Sequence, residues 1–466
     1  MRRVSAPALV AYVALGTALL ATRFVGLGRS FWHDEIVTVR DFVQAGPHAI
    51  LAGDRLNHEL YSLLAWGARP VLGDSEIAVR LWSVVPFILG VVVVTAWLHL
   101  QLGQLTGVMF LGLATIAPLL IDVSRQARGY GIGFLAMSIV VVGALEADRT
   151  KRTWTVVVFC LAGVVGTLTL PNFAAAFLAT GAVLVAQREL RRRIVIGLGV
   201  SVVAVVGFYA PNLDVLSNSS EQNYGVRIDA LRVVTGPFDQ LLLPGLLRLD
   251  GEPPTTSLLW LPFVALIAVL VAASPLLRNW TTALIMCAGV VFTFATLWVT
   301  ETRSVPRFIT FLLVPMLMLL ASGLASILGR PRHVPIRAGL ALATTLVLIL
   351  VSVAEGATVM RLPREAHRDA AELIESSGTE SAPVFAYMLQ PRDLGFYTAR
   401  PIRTLRRPSA IASLCAKDEL AVLVVHPWRI PRVHLPCHSR AGVRRDQLEQ
   451  YARGGHIDVW FIPPAS

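Results

Sequence analysis

From Ala6 to Val25 the chain is almost unbroken apolar residue, and runs of this kind return along most of its length. A helix of about 20 such residues crosses the hydrocarbon core of a bilayer. The pattern predicts eleven spans, near 6–27, 78–100, 105–121, 129–146, 154–170, 172–187, 194–211, 257–274, 281–299, 307–328 and 338–356. Three stretches break it. Residues 29–77 carry amphipathic runs such as LYSLLAWGARPVL, suited to helices lying on the membrane interface. Residues 212–256 form a polar outer loop. In residues 357–466, REAHRDAAELIESSG predicts a helix ending at Gly378, and APVFAYM, LAVLVVH and HIDVWFI predict short buried strands. The expected fold class is a polytopic α-helical membrane protein. Residues 1–356 make its membrane module, and 357–466 make a small α/β domain.

Composition agrees with a membrane protein. The 466 residues are 55% hydrophobic and 15% charged, with a mean hydropathy of +0.64. The net charge of +11 would point to nucleic acid in a soluble protein, but here its location explains it. Arg2 and Arg3, then Arg149, Lys151 and Arg152, then RELRRR from Arg188, Arg278, and Arg330 to Arg337 fall in alternate loops. Positive loops face the cytoplasm, so the N-terminus is expected inside and the domain after residue 356 outside a plasma membrane. No small-x-small cleavage site precedes the first polar stretch, so the N-terminal run reads as a retained helix rather than a signal peptide.

There are four cysteines. Cys160 and Cys287 lie in apolar spans and read as small core residues. Cys415 and Cys437 share the outer domain, where a disulfide suits the compartment, although spacing alone does not establish its geometry. CHSR with His434 and His426 leaves a zinc reading open, without metal-like spacing to support it. The sequence has no P-loop, dinucleotide fingerprint, HExxH pattern or internal repeat.

Polar chemistry gathers at the outer ends of the spans. GRSFWHDEIVT sets His33, Asp34 and Glu35 beside two aromatics directly after the first span. These acids read either as charges at headgroup level or as a general base and its partner. In LNHELYSLLAW, Asn57, His58, Glu59 and Tyr61 precede an amphipathic run, and structural and functional readings of them stand level. GDSEIAVRLW reads first as a helix start, with Ser75 or Asp74 as cap. Arg125 and Arg128 in IDVSRQARGYGIG, and Arg303 and Arg307 in ETRSVPRFITF, break the positive-inside bias. Each arginine alone could snorkel to headgroups. Two such loops beside an acidic cluster favour a bound lipid phosphate, whose geometry a guanidinium matches.

In this order the motifs resemble the membrane glycosyltransferases of the GT-C fold, in the branch of the protein mannosyltransferases and the aminoarabinose and RgtA-type transferases. SFWHDEIVT is similar to the family's first-loop xxWxDExxT/S, and NHELYSLLAW to its HPPLYxLL box. GDSEIAVRLWSVV is similar to GxSExAxRLPS, SRQARGYGI to SxxARxYxL, and VPRFITFLLVP to xxRYLLxxxP. The likeness is good over 28–140 and thin over 300–320. The chain departs from the pattern at His58 and Glu59, which replace two prolines, at Trp82 for proline, and at Phe308 for tyrosine.

The resemblance implies sugar transfer at the outer face from a polyprenyl-phosphate donor to an acceptor hydroxyl on a glycan, lipid or protein of a bacterial cell envelope. Mannose is the sugar the resemblance suggests first. By this analogy Asp34 is the general base and Glu35 orients the acceptor or tunes Asp34. His33, Asn57, His58, Glu59 and Tyr61 contact acceptor or donor sugar. Arg125, Arg128, Tyr130, Arg303 and Arg307 bind the donor phosphate, with Arg128 and Arg307 foremost. Some relatives use a divalent cation, for which this sequence shows no dedicated ligand set. The rival class is a transporter or flippase of a lipid-linked glycan, which would place its polar residues at mid-membrane in broken helices. Here the ionisable residues collect at one face instead.

Overall fold

The computed structural model describes residues 4–52, 57–212, 268–299 and 306–329 and, with short gaps, 357–464. Arg303, His426, His434, the loop over 213–256 and the expected span near 338–356 lie outside the described residues, as does most of the span near 257–274. The chain divides into two compact units. One is Met1–Leu27 with Asp41–Gly356, and the other is Gly28–Arg40 with Ala357–Ser466. The first-loop segment that carries Asp34 and Glu35 therefore belongs to the same unit as the C-terminal residues.

The first unit is helical. Among the described residues six helices are long and apolar enough to cross a membrane: Ala6–Phe24, Glu76–Leu102, Tyr130–Thr150, Arg191–Tyr209, Trp280–Val299 and Ile309–Leu328. Thr153–Thr169 and Phe173–Val185 are apolar but shorter, and each lies within two residues of the span expected for it at either end. Tyr130–Thr150 is central, packed against both Glu76–Leu102 and Thr153–Thr169. Small residues permit this approach. Gly131 lies so close to Ser83 that a β-carbon there would sit 1.8 Å from the Ser83 carbonyl oxygen. The Gly131 N–H also donates to Ser83 Oγ at 3.1 Å. Arg191–Tyr209 instead turns many valines outward, the surface a lipid-facing helix presents.

The span expected near 105–121 is not one straight helix. Gln104–Ile116 and Pro118–Ser124 meet at 67°. Pro118 disfavours helical geometry at Ala117, which is extended with ψ 112°, and Pro118 has no N–H to continue the ladder. A break inside a membrane leaves carbonyls that need donors. Arg23, fully buried on the first helix, supplies two, to the Ala114 oxygen at 2.7 Å and the Thr115 oxygen at 3.0 Å. The interfacial run forms the helix Glu59–Leu72. Ser75 rather than Asp74 caps the helix from Glu76, accepting from the Ala78 N–H at 3.3 Å.

The second unit is an α/β fold around a five-stranded sheet, β1 (Val384–Tyr387), β2 (Ile402–Leu405), β3 (Ala421–Val425), β4 (Arg444–Glu449) and β5 (His456–Ile462), in the order β2-β1-β3-β5-β4. β1 runs parallel to β2 and β3, and β5 is antiparallel to β3 and β4. The strands buried on both faces, β1, β3 and β5, are the apolar runs. The expected helix is His367–Ser376, followed by Gly378 at φ +68°. Cys415 and Cys437 are joined by a disulfide, with their Cα atoms 5.6 Å apart.

Candidate functional site

Each unit holds some of the candidate residues. In the helical unit, three chain segments bring polar groups to His58. His58 precedes the Glu59–Leu72 helix and is buried. Arg128, at the turn before Tyr130–Thr150, donates from Nε to His58 Nε2 at 2.9 Å and is itself only 1% exposed. Accepting at Nε2 places the ring proton on Nδ1, facing the Thr169 backbone. Burial first, then the positive charges of Arg128 and Arg307, hold the imidazole well below its ordinary pKa, with the nearby Thr169 backbone acting the other way. His58 is therefore neutral and serves Arg128 as an acceptor. The Tyr130 ring stands edge-on to His58 at 5.1 Å, with the Arg128 guanidinium 6.0 Å from its centre. Gly129 fits this corner because it has no side chain. A β-carbon there would sit 2.3 Å from Thr169 Cγ2 and 3.1 Å from His58 Nδ1.

Glu59 is buried and accepts from the hydroxyl of Tyr209 at 3.4 Å. Sequence reasoning missed Tyr209, which ends a plain apolar span. Asn57 and Tyr61 are tied into the local fold. Asn57 donates to the Ile50 carbonyl at 2.9 Å and accepts from Ser62 Oγ at 2.7 Å, and Tyr61 donates to the Val79 carbonyl at 2.8 Å. Arg125 donates to the Val25 carbonyl at 2.7 Å, and Arg80 to the Leu27 carbonyl at 2.7 Å. These two guanidiniums thus serve the backbone where the first helix ends. Arg307 lies on the 3-10 segment Pro306–Leu312, half-buried and close enough for its charge to act on His58.

In the second unit, His33–Val37 is a five-residue helix with Trp32 as its N-cap. Glu35 is buried, and its Oε2 accepts from the Trp32 N–H at 3.2 Å, as a third-position acid does when it closes a helix start. Asp34 is partly exposed, and its carbonyl accepts from Thr38 Oγ1 at 2.9 Å. Both nitrogens of the His33 ring have partners. Nδ1 lies 2.8 Å from Asp393 Oδ1, and Nε2 lies 3.2 Å from an Arg392 guanidinium nitrogen. Burial opposes protonation of His33, but the bond to Asp393 and the charges of Asp393 and Asp34 outweigh it. The ring is left above its ordinary pKa, with Arg392 opposing. The His33 N–H donates to Glu365 Oε2 at 2.9 Å, and the same oxygen lies 2.9 Å from His367 Nε2. The Phe31 N–H donates to the Tyr397 hydroxyl at 2.6 Å. Among the described residues no group of three or more His, Cys, Asp or Glu could hold a metal ion.

No protein-family model matches the chain, and no curated protein matches it significantly. Solved structures do. ArnT from Cupriavidus metallidurans in the apo state aligns at TM-score 0.56 and 15% identity, over 97% of this chain and 98% of that one. The same protein bound to undecaprenyl phosphate aligns at 0.55 and 15%, over 98% of each chain. The archaeal oligosaccharyltransferase AglB from Archaeoglobus fulgidus, in complex with an inhibitory peptide and a dolichol-phosphate, aligns at 0.51 and 10%, over 90% of this chain and 69% of that one. At such identities the likeness is one of fold. The chain has the GT-C fold and is a polytopic helical membrane protein.

Proposed function

We propose that this chain is an integral membrane glycosyltransferase that moves a sugar from a polyprenyl-phosphate donor to an acceptor hydroxyl at the outer face of the plasma membrane. A fold hosts many activities, so the reading rests on the side chains. The observation that carries it is a buried Arg128 fixed at 2.9 Å by the buried His58 in the membrane unit, with Arg307 near enough for its charge to act on the same ring. A lipid phosphate leaving group needs stabilising cations rather than an acid, and a preorganised guanidinium supplies charge and paired donors together. The solved relatives that hold undecaprenyl phosphate and dolichol-phosphate support a donor of that class.

In the proposed step Asp34 accepts the proton of the acceptor hydroxyl as its oxygen attacks the anomeric carbon. The bond from that carbon to the phosphate oxygen breaks, and the electron pair leaves with the polyprenyl phosphate, held by Arg128 and Arg307. One displacement inverts the anomeric centre. Glu35, closing the short helix, keeps Asp34 in place. Mannose is the first donor sugar to try.

One feature favours a transporter instead, the broken helix at Ala117. Arg23 occupies the carbonyls freed there, which gives the break a structural account within the bundle.

The test is transfer by the reconstituted chain from undecaprenyl-phosphate sugars. Asp34→Asn should lower turnover at least about a hundredfold while donor binding persists, the loss expected for a general base. Turnover at the wild-type rate in that variant removes Asp34 from the role.

A further inference from the structure

The geometry of the second unit points to Asp393 as a positioning residue for this transfer: acting through His33, it fixes the short helix that carries Asp34 and Glu35. The inference rests on the glycosyltransferase reading and deepens it.

It begins with sheet topology. From β1 the chain runs to β2 on one side, then crosses to β3 on the other, so neighbouring connections leave the carboxyl ends of β1 and β3 in opposite directions. In open α/β sheets that divergence opens the crevice where ligands bind. The chain leaving β1 at Tyr387 reaches the turn of helix Pro391–Leu394, which carries Arg392 and Asp393. What these two side chains hold is His33 of the same polypeptide, 360 residues away. The unit thus grips a piece of its own chain from the end of the sheet at which open α/β folds place their ligands.

The grip is specific in its chemistry. Asp393 is 4% exposed at its side chain and takes Nδ1 of His33, while Arg392 reaches Nε2. A neutral ring satisfies both neighbours in one tautomer only, with Nδ1–H donating to Asp393 and Nε2 accepting from Arg392. That fixes the ring's orientation as well as its place. Glu365 holds the His33 backbone N–H and is braced by the fully buried His367. Tyr397 holds the Phe31 N–H, and Arg368 donates to the Gly28 carbonyl at 2.9 Å. Residues on the approach to Asp34 are therefore tied to Glu365, Asp393 and Tyr397, all from the C-terminal stretch. None of these groups needs to touch substrate. A base must sit within hydrogen-bond reach of the proton it takes, and a misplacement near 1 Å costs about a hundredfold in rate.

The experiment compares the full-length wild type with Asp393→Ala, Asp393→Asn and Asp34→Asn, using the undecaprenyl-phosphate sugar that the wild type turns over. Asp393→Ala should lower kcat about 10- to 100-fold with donor KM unchanged. It should also speed amide exchange across residues 31–38 by about tenfold or more, while β1 and β3 stay protected. Asp393→Asn keeps an oxygen that can accept from Nδ1–H and should recover most of both. Unchanged exchange over 31–38 in Asp393→Ala overturns the inference, as does loss of protection throughout the sheet, which would mark a purely structural role. Wild-type kcat in Asp393→Ala beside an inactive Asp34→Asn overturns it and leaves the transfer reading standing. Full activity in Asp34→Asn overturns the assignment of the base itself.

Discussion

Arg128 is held by an uncharged partner, and that has measurable consequences. His58 accepts its Nε–H at 2.9 Å, which fixes the plane of the guanidinium. Hydrogen bonds to charged groups contribute about 1.5–3 kcal/mol, so Arg128→Ala should weaken donor binding about 10- to 100-fold, read by titration with undecaprenyl phosphate. The same variant removes one of the charges that depress His58. In the wild type the unfolded chain takes a proton at His58 below about pH 6.5 while the folded chain does not, so this residue's contribution to stability falls as pH drops through that range. In Arg128→Ala the folded pKa moves back toward ordinary, and this acid-dependent loss should shrink. An unchanged pH slope of the melting temperature would separate Arg128 from His58. The residue types of this cluster were readable in HEL and ARGYG, because histidine, arginine and acid are rare beside long apolar runs. The partners were not. Tyr209 and Asp393 lie far along the chain from the residues they serve, in segments whose patterns mark only a span and a turn.

Elements follow hydrophobic pattern closely where both faces are buried and poorly at edges. β1, β3 and β5 are interior strands and stand out as apolar runs. β2 and β4, the sheet's two edges, read IRTL and RRDQLE, with no run to reveal them. Charged edges of this kind discourage pairing with other chains and, by the same chemistry, hide the strand from a hydrophobicity reading. Among the helices, composition marks length but not bending. The 67° break at Ala117 follows from a single proline, and its stabilising partner is Arg23, an arginine inside a span otherwise free of charge. One of the tightest helix contacts among the described residues is equally local. Gly131 against Ser83 leaves no room for a methyl group. Gly131→Ala must therefore push Tyr130–Thr150 away from Glu76–Leu102 and should destabilise the protein by about 1–3 kcal/mol, the usual cost of overpacking. Thermal unfolding in detergent measures this, and an unshifted midpoint would mean that the two helices are less tightly packed than described. Because Tyr130 and Arg128 adjoin that contact, the variant should also lose donor affinity.

For the whole molecule, the decisive quantity is which side of the membrane each loop faces. On the proposed topology the loops holding Arg149, Lys151 and Arg152, and Arg188 to Arg193, face the cytoplasm, as the positive-inside bias favours. The Cys415–Cys437 disulfide argues for the opposite side for the C-terminal unit, since such bonds persist in oxidising compartments. These are independent arguments, one from charge and one from redox chemistry, and both favour an outer C-terminal unit, which on this reading carries Asp34 with it. On the proposed reading a polyprenyl-phosphate donor is then presented at the outer leaflet, on the same side of the membrane as Asp34. The test uses intact cells and a membrane-impermeant maleimide. After mild reduction, Cys415 and Cys437 should react in the full-length chain, whereas a cysteine from Arg192→Cys should react only once the cells are opened. Reaction at position 192 in intact cells, with the disulfide pair silent, would invert the topology and put Asp34 on the side where nucleotide sugars are abundant, and the lipid-linked donor would then lose its rationale.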